Sequence, residues 1–202
     1  MTPAIVHALK QLAAGVLLCT ACGLAGSAHA ARIADQDFDD HIRLADAELA
    51  LNGVGLRAVA WIKGYAAGLY LAQKAGTPAQ VLALKGPKRV QIKMMLDVDA
   101  KEFSKAFNVG IRRNTTQSEQ GAMKGRMDQF DLAIESIGAV KKGDVVNLDY
   151  LPARGVVLTL NGTARGQPIP GEDLYAGILK IFLGELPVDK KLKAGLLGQP
   201  PA

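Results

Sequence analysis

Three aspartates and a histidine near position 40 are side-chain types that bind metal ions: Asp37, Asp39, Asp40 and His41. Transition-metal sites are usually completed by several histidine or cysteine ligands. After residue 30, His41 is the only histidine and the chain contains no cysteine. We therefore expect no metal site, and we interpret residues 31–43 as a polar, acidic lead-in that is exposed to solvent.

Residues 53–58 (GVGLRA) satisfy the G-x-G-x-x-A pattern of a dinucleotide-binding loop. Such a loop works because the pyrophosphate lies on the N-terminus of the helix that follows. Here Val59, Trp61 and Ile62 continue a strand-like pattern instead. We therefore reject nucleotide binding and expect no cofactor.

Residues 1–30 have the pattern of an export signal, or signal peptide. Lys10 supplies a positive charge, residues 11–25 are almost wholly apolar, and the segment ends in Ala-His-Ala, with small residues at the cleavage positions. The apolar stretch is shorter than the roughly 20 residues of a membrane-spanning helix, so we expect no transmembrane span. The prediction is a mature domain of residues 31–202, exported to the periplasm if the source is a Gram-negative bacterium.

Both cysteines, Cys19 and Cys22, lie within this signal segment. Cleavage after residue 30 would leave a chain without disulfides or thiol chemistry. Lipid attachment at Cys22 is the alternative interpretation. Cys19, however, stands where a lipoprotein signal usually has leucine.

The composition is that of a folded protein with a mild basic bias. Hydrophobic residues make up 49% and charged residues 21%, and the formal net charge is +5. The lysines and arginines occur in short clusters without interleaved aromatic side chains. Phosphate-tracking grooves need denser positive charge and stacking rings, so we expect no nucleic-acid binding.

Apolar periodicity and capping residues predict one α+β domain. The predicted strands are two or three within residues 44–71, one at 89–97, and a meander at 144–151, 155–160 and 163–165. The predicted helices begin at Thr77, Asp99, Thr116, Pro170 and Asp189. The clearest of them carries an apolar stripe of Met123, Met127, Phe130, Ile134 and Ile137.

Several segments, taken in order and spacing, resemble the chalcone isomerase-like family in its exported bacterial branch. They are residues 53–57 (GVGLR), 65–71 (YAAGLYL), 161–162 (NG), 171–184 (GEDLYAGILKIFLG) and 192–198 (LKAGLLG). The resemblance implies an open-faced β-sandwich: a large antiparallel sheet with helices layered on one face and a ligand cleft between them. Plant enzymes of this family close a flavanone ring, whereas plastid relatives bind fatty acids.

The enzymes' polar residues are only partly matched. By the resemblance, Arg57 corresponds to the family's arginine, while Tyr65 and Ile181 stand where the enzymes have threonines. Asn114 falls in a turn between predicted helices, and the enzymes' helical tyrosine has no counterpart. We therefore assign no catalytic residue.

The fatty-acid-binding relatives show a similar Arg/Tyr pair, which implies that Arg57 and Tyr65 bind a carboxylate, with Tyr70 as a further ligand-binding candidate. A guanidinium offers a charge-assisted fork and a phenol adds a neutral donor. The alternatives are that Arg57 pairs with an acid at a sheet edge and that both tyrosines pack in the core with satisfied hydroxyls.

Geometry decides whether Arg57 and Tyr65 share a site. In one straight strand they would be roughly 26 Å apart. A reversal near residues 60–62 would bring them together, but no Gly, Asn or Pro marks a turn there.

Three functions remain open at this point. The first is a non-catalytic binding protein for a fatty acid or similar small apolar carboxylate, with Arg57 at the polar end. The second is an intramolecular lyase of the chalcone isomerase type. The third is an envelope scaffold or partner-binding protein whose cleft is vestigial.

Overall fold

The structure, a computed structural model, describes residues 31–199. The predicted export signal, residues 1–30, lies outside the described residues. The strands are β1 (Ala31–Ile33), β2 (Gln36–Phe38), β3 (His41–Leu44), β4 (Ala47–Val59), β5 (Ile62–Leu71), β6 (Lys88–Met94), β7 (Val98–Asp99), β8 (Ala139–Val140), β9 (Val145–Leu151), β10 (Gly155–Leu160) and β11 (Thr163–Ile169). The helices are α1 (Pro78–Ala83), α2 (Ala100–Asn114), α3 (Gln117–Glu135), α4 (Glu172–Leu183) and α5 (Lys190–Leu196).

One antiparallel sheet organises the fold. Its strand order is β11-β10-β9-β6-β5-β4-β3, and the pairs β1–β2 and β7–β8 form two small separate sheets. Side chains from the helices and from one face of the sheet form a single large apolar cluster. The predicted α+β class and the open-faced sheet with helices on one face are confirmed.

The local patterns explain why these elements form. Along β6, Val90, Ile92 and Met94 alternate with partly exposed polar residues, so one face of the strand packs against the helices. Thr116 and Asp189 cap α3 and α5 through their side chains, as their spacing predicts. The apolar faces of the helices then cover the sheet.

The interpretation of residues 31–43 as a solvated lead-in is wrong. This segment forms β1, β2 and the start of β3, and Phe38 is fully buried in a second apolar cluster on the other face of the sheet. Gly68 provides the space, because a Cβ atom there would lie 2.7 Å from the Phe38 ring. The amine of Lys93 lies 4.9 Å from the centre of that ring. The acidic composition of the segment concealed this one anchoring side chain.

Helix α5 lies directly on strand β4 because of two glycines. A Cβ atom at Gly53 would collide with the carbonyl oxygen of Gly195, and one at Gly55 would lie 2.7 Å from the carbonyl oxygen of Leu192. The glycines of the G-x-G-x-x-A pattern thus form a packing surface for a helix. This contact fixes the position of Asp189 at the start of α5.

Candidate functional site

Arg57 and Tyr65 lie directly opposite each other on the β4–β5 hairpin. The chain reverses over Ala60 and Trp61, and Val59 pairs with Ile62. Ala60 has φ +52°, in the left-handed region that favours glycine. Directly opposed residues have Cβ atoms about 5 Å apart, so the two side chains share one site.

A pocket of about 310 Å³ lies between this hairpin, β6 and helices α2 and α4. Its polar side chains are Arg57, Tyr65 and Glu102. The remaining lining is apolar and includes Ile92, Met94, Phe103, Phe107, Ile181 and Phe182. The pocket therefore combines a hydrocarbon interior with one cationic group.

The Arg57 guanidinium is held from one side only. Its Nη1 donates to the carbonyl oxygen of Ala58 at 2.9 Å and contacts Oδ2 of Asp189 at 3.4 Å. The Arg57 side chain is 27% exposed and that of Asp189 15%. Within residues 31–199, Nε and Nη2 of Arg57 have no hydrogen-bond acceptor. Those donors are available to a ligand.

Asp189 caps α5 with one carboxylate oxygen and contacts Arg57 with the other. Its Oδ1 accepts from the backbone N–H groups of Lys191 and Leu192 at 2.8 and 3.0 Å, while Oδ2 faces Arg57. The cap holds the carboxylate in place independently of the arginine. Asp189 therefore orients the guanidinium through Nη1 and leaves Nε and Nη2 uncontacted.

Tyr65 contributes a neutral donor. Burial raises the pKa of its phenol above the ordinary value, Arg57 opposes the rise, and Asp189 adds to it. Its hydroxyl has no hydrogen-bond partner within the described residues. A phenol that stays protonated beside an arginine suits a carboxylate acceptor.

Glu102, near the start of α2, places a negative charge among the pocket-lining residues. Its carboxylate lies 3.7 Å from the Lys105 amine, and both side chains are about two-thirds exposed. The pair is therefore solvent-screened and lies away from the buried end of the pocket.

Tyr70 lies on the opposite face of the sheet from Arg57 and Tyr65. It is fully buried in the second apolar cluster, and its hydroxyl has no hydrogen-bond partner in the described chain. Burial raises the pKa of this phenol as well. Its place in a ligand site remains a prediction, and the pocket beside Arg57 does not include it.

The positions that the resemblance aligned with the enzymes' polar groups divide between the pocket and its surroundings. Ile181 lines the pocket and adds hydrocarbon. Asn114 ends α2, where its Nδ2 donates to the carbonyl oxygens of Gly110 and Leu186, and its Oδ1 accepts from the Leu186 N–H. Asn114 therefore ties α2 to the loop after α4.

Sequence reasoning missed Asp189 and Glu102 as neighbours of the site. Asp189 was predicted as a helix cap, but its contact with Arg57 spans 132 residues and has no local signal. Glu102, three residues after the predicted helix start at Asp99, carries no sequence signal that places it at the pocket. The packing of α5 on β4 at Gly53 and Gly55 brings Asp189 to Arg57, and this contact was not predicted from the sequence.

Within residues 31–199 there is no group of three or more histidine, cysteine or acidic side chains suited to a metal ion. Across the same range, no helix is long and apolar enough to cross a membrane.

Comparison with known proteins agrees with the fold. No curated protein matches this sequence. The fold is similar to the crystal structure of a fatty-acid-binding protein from Arabidopsis thaliana, with a TM-score of 0.62 and 14% identity, covering 84% of this chain and 96% of that chain. At this identity the similarity establishes the fold alone. Residues 30–198 match the family described as chalcone isomerase-like. The chain therefore belongs to the chalcone isomerase-like family.

Proposed function

We propose that this protein is exported and binds a fatty acid or similar apolar monocarboxylate without transforming it. One observation carries the proposal: on one wall of an apolar pocket, Nε and Nη2 of Arg57 and the Tyr65 hydroxyl have no hydrogen-bond partner within residues 31–199. The ligand carboxylate would accept from Nε or Nη2 of Arg57 and from the Tyr65 hydroxyl.

The pocket's chemistry favours a hydrocarbon tail. Phe103 and Phe107 of α2 and Phe182 of α4 pack in one aromatic group, and all three line the pocket. Burial of an acyl chain against them is favourable by roughly 25 cal/mol per Å² of apolar surface. The volume lies at the low end of the range of about 300–1,000 Å³ for small-molecule pockets, which favours one acyl chain over a two-chain lipid.

Charge then orients the ligand. A carboxylate beside Arg57 gains a charge-assisted bond in a poorly solvated place, where such bonds are stronger than in water. Glu102 also lines the pocket, but its carboxylate is largely exposed and screened by solvent, so Arg57 is the charge that orients the ligand.

The relatives support the same assignment. The chain's family is described as chalcone isomerase-like, and the structurally similar Arabidopsis thaliana protein is described as a fatty-acid-binding protein. Export is proposed from residues 1–30, whose charge, apolar run and small terminal residues match a signal peptide.

Calorimetric titration of the processed protein with straight-chain saturated fatty acids tests the binding. We expect saturable binding that weakens at least about tenfold when the fatty acid is replaced by the alcohol of equal length. Arg57→Met should produce a similar loss. Arg43→Met, which removes an equal charge from an exposed position on β3, should leave the affinity unchanged.

Two results would overturn the proposal. One is an absence of binding across the acyl series. The other is turnover of a chalcone, seen as loss of its absorbance, that depends on Arg57, since that would make the site catalytic.

A further inference from the structure

The tip of the β4–β5 hairpin exposes three large apolar side chains within four residues of its turn. Trp61 is 88% exposed, Val59 60% and Ile62 54%. Trp61 is the only tryptophan in the chain. Large apolar side chains grouped on a surface indicate contact with an apolar partner, since each loses the free energy of leaving water when it stays uncovered.

The shape of the tip favours a bilayer over a protein partner. The reversal takes only Ala60 and Trp61, so the tryptophan stands at the end of a narrow two-stranded projection. Such a tip offers far less than the roughly 800 Å² per partner of a stable protein interface. Tryptophan, by contrast, is the side chain most suited to the boundary between head groups and acyl chains.

The charges beside the tip favour an anionic surface. Lys63 follows it on β5 and is exposed. Lys190 and Lys191, also exposed, line a groove together with Ala58 and Ala60 of the hairpin. Within residues 31–199 none of these three lysines forms an ion pair. Lysines near an anionic membrane each add attraction on the order of 1 kcal/mol.

We propose that the protein docks on an anionic lipid bilayer by inserting Val59, Trp61 and Ile62, with Lys63, Lys190 and Lys191 at the head groups. Val59 and Ile62 also line the Arg57 pocket. Docking would therefore place the mouth of that pocket against the bilayer, so that an acyl chain enters it without crossing water. The docking itself does not depend on the proposed ligand.

Trp61 allows a direct test, because it is the only indole reporter. The processed protein is mixed with vesicles of phosphatidylcholine containing phosphatidylglycerol, free of fatty acid, and with vesicles of phosphatidylcholine alone. We expect sedimentation with the anionic vesicles, a blue shift of Trp61 emission, and quenching by brominated acyl chains. Binding should fall sharply on neutral vesicles and in high salt.

Two variants distinguish insertion of the hairpin tip from non-specific hydrophobic binding to vesicles. Trp61→Ser should weaken vesicle binding about tenfold. Leu132→Ser, at a leucine that is 67% exposed on α3, should leave it unchanged. Trp61→Ser should also keep the affinity for fatty acid in solution, so that failure of docking and failure of ligand binding are separate results.

Three outcomes would overturn the proposal. The first is vesicle binding that persists in Trp61→Ser at the wild-type level. The second is bound protein whose Trp61 emission does not shift. The third is a blue shift that appears with protein concentration in the absence of lipid, since that would make a second copy the partner of the tip.

Discussion

Two arginine–aspartate pairs lie on opposite faces of the same sheet. Arg89 and Asp149 face each other across β6 and β9, joined by two hydrogen bonds of 2.6 Å, with the Asp149 side chain 4% exposed. Arg57 and Asp189 meet through one nitrogen at 3.4 Å. The first pair uses both edges of its carboxylate, whereas the second leaves most of the guanidinium free.

The polar groups around the two pairs also differ in how fully they are hydrogen-bonded. Next to Arg89, the side chains of Gln91, Asn147 and Thr159 continue a row of hydrogen bonds across three strands. Next to Arg57, the neighbours are an apolar pocket and the Tyr65 hydroxyl, which has no hydrogen-bond partner in the part of the chain that the structure describes. Polar groups that satisfy one another hold a sheet together, and polar groups left open beside an apolar space are suited to a ligand.

The largest expected effect comes from breaking the closed pair. Arg89→Met should lower the free energy of unfolding by about 3–5 kcal/mol, because it leaves a buried carboxylate uncompensated. Burial already raises the pKa of Asp149, and Arg89 acts against that rise. Arg57→Met should cost no more than about 1 kcal/mol. Urea unfolding measures both.

A double variant checks the cause. Arg89→Met combined with Asp149→Leu should recover much of the loss, since no buried charge remains. Equal losses in Arg89→Met and Arg57→Met would contradict the distinction between the two pairs.

The second effect concerns the open pair. Asparagine at position 189 can still cap α5. It lacks the negative charge that competes with a ligand carboxylate for the Arg57 guanidinium. We expect fatty-acid affinity to rise by about threefold to tenfold, as measured by calorimetric titration. Asp173→Asn, which removes an acid near the start of α4, is the matched control and should leave the affinity unchanged. A fall in affinity would mean that Asp189 positions Arg57 more than it competes for it.

A smaller effect is expected in the pH profile of binding. Burial raises the pKa of the Tyr65 phenol, so the donor is kept as pH rises and is lost only above its ordinary titration range. The ratio of affinities between wild type and Tyr65→Phe should therefore stay constant up to about pH 10. If this affinity ratio instead falls toward one near pH 10, the Tyr65 phenol titrates in its ordinary range and its pKa is not raised.

The smallest effect lies in a third ion pair, away from both arginines. The backbone N–H of Thr116, the amine of Lys180 and the Thr116 hydroxyl lower the pKa of Glu119 to about 2. This contribution to stability is present above the ordinary pKa and is lost as pH falls through the folded value. Glu119→Gln should thus melt below wild type at neutral pH, and the gap should narrow below about pH 4.5 and close only below about pH 2, as followed by circular dichroism. Fatty-acid affinity should not change, and a lower affinity would link this pair to the pocket.

Much of the fold follows from local signals in the sequence. The alternation in β6, the caps of α3 and α5 and the apolar stripe from Met123 to Ile134 on α3 each depend on nearby residues, and all are confirmed. Phe38 was missed because its partner, Gly68, lies far along the chain on β5 and carries no side chain to signal a contact.

The site was less accessible to sequence reasoning. The reversal that joins Arg57 to Tyr65 uses Ala60 at positive φ, a conformation that turn rules assign to glycine or asparagine. Side chains alternate between the two faces of a sheet along a strand. Because Tyr65 and Tyr70 are five residues apart in one strand, this alternation alone predicts that they face opposite sides. Asp189 required the packing of α5 on β4.

The most direct test of the account is a crystal structure of the processed protein with a bound fatty acid. We predict that the carboxylate lies within about 3 Å of the Arg57 guanidinium and of the Tyr65 hydroxyl, with the chain against Phe103 and Phe107. A ligand bound elsewhere, or held in this pocket with its carboxylate turned away from Arg57, would contradict the account.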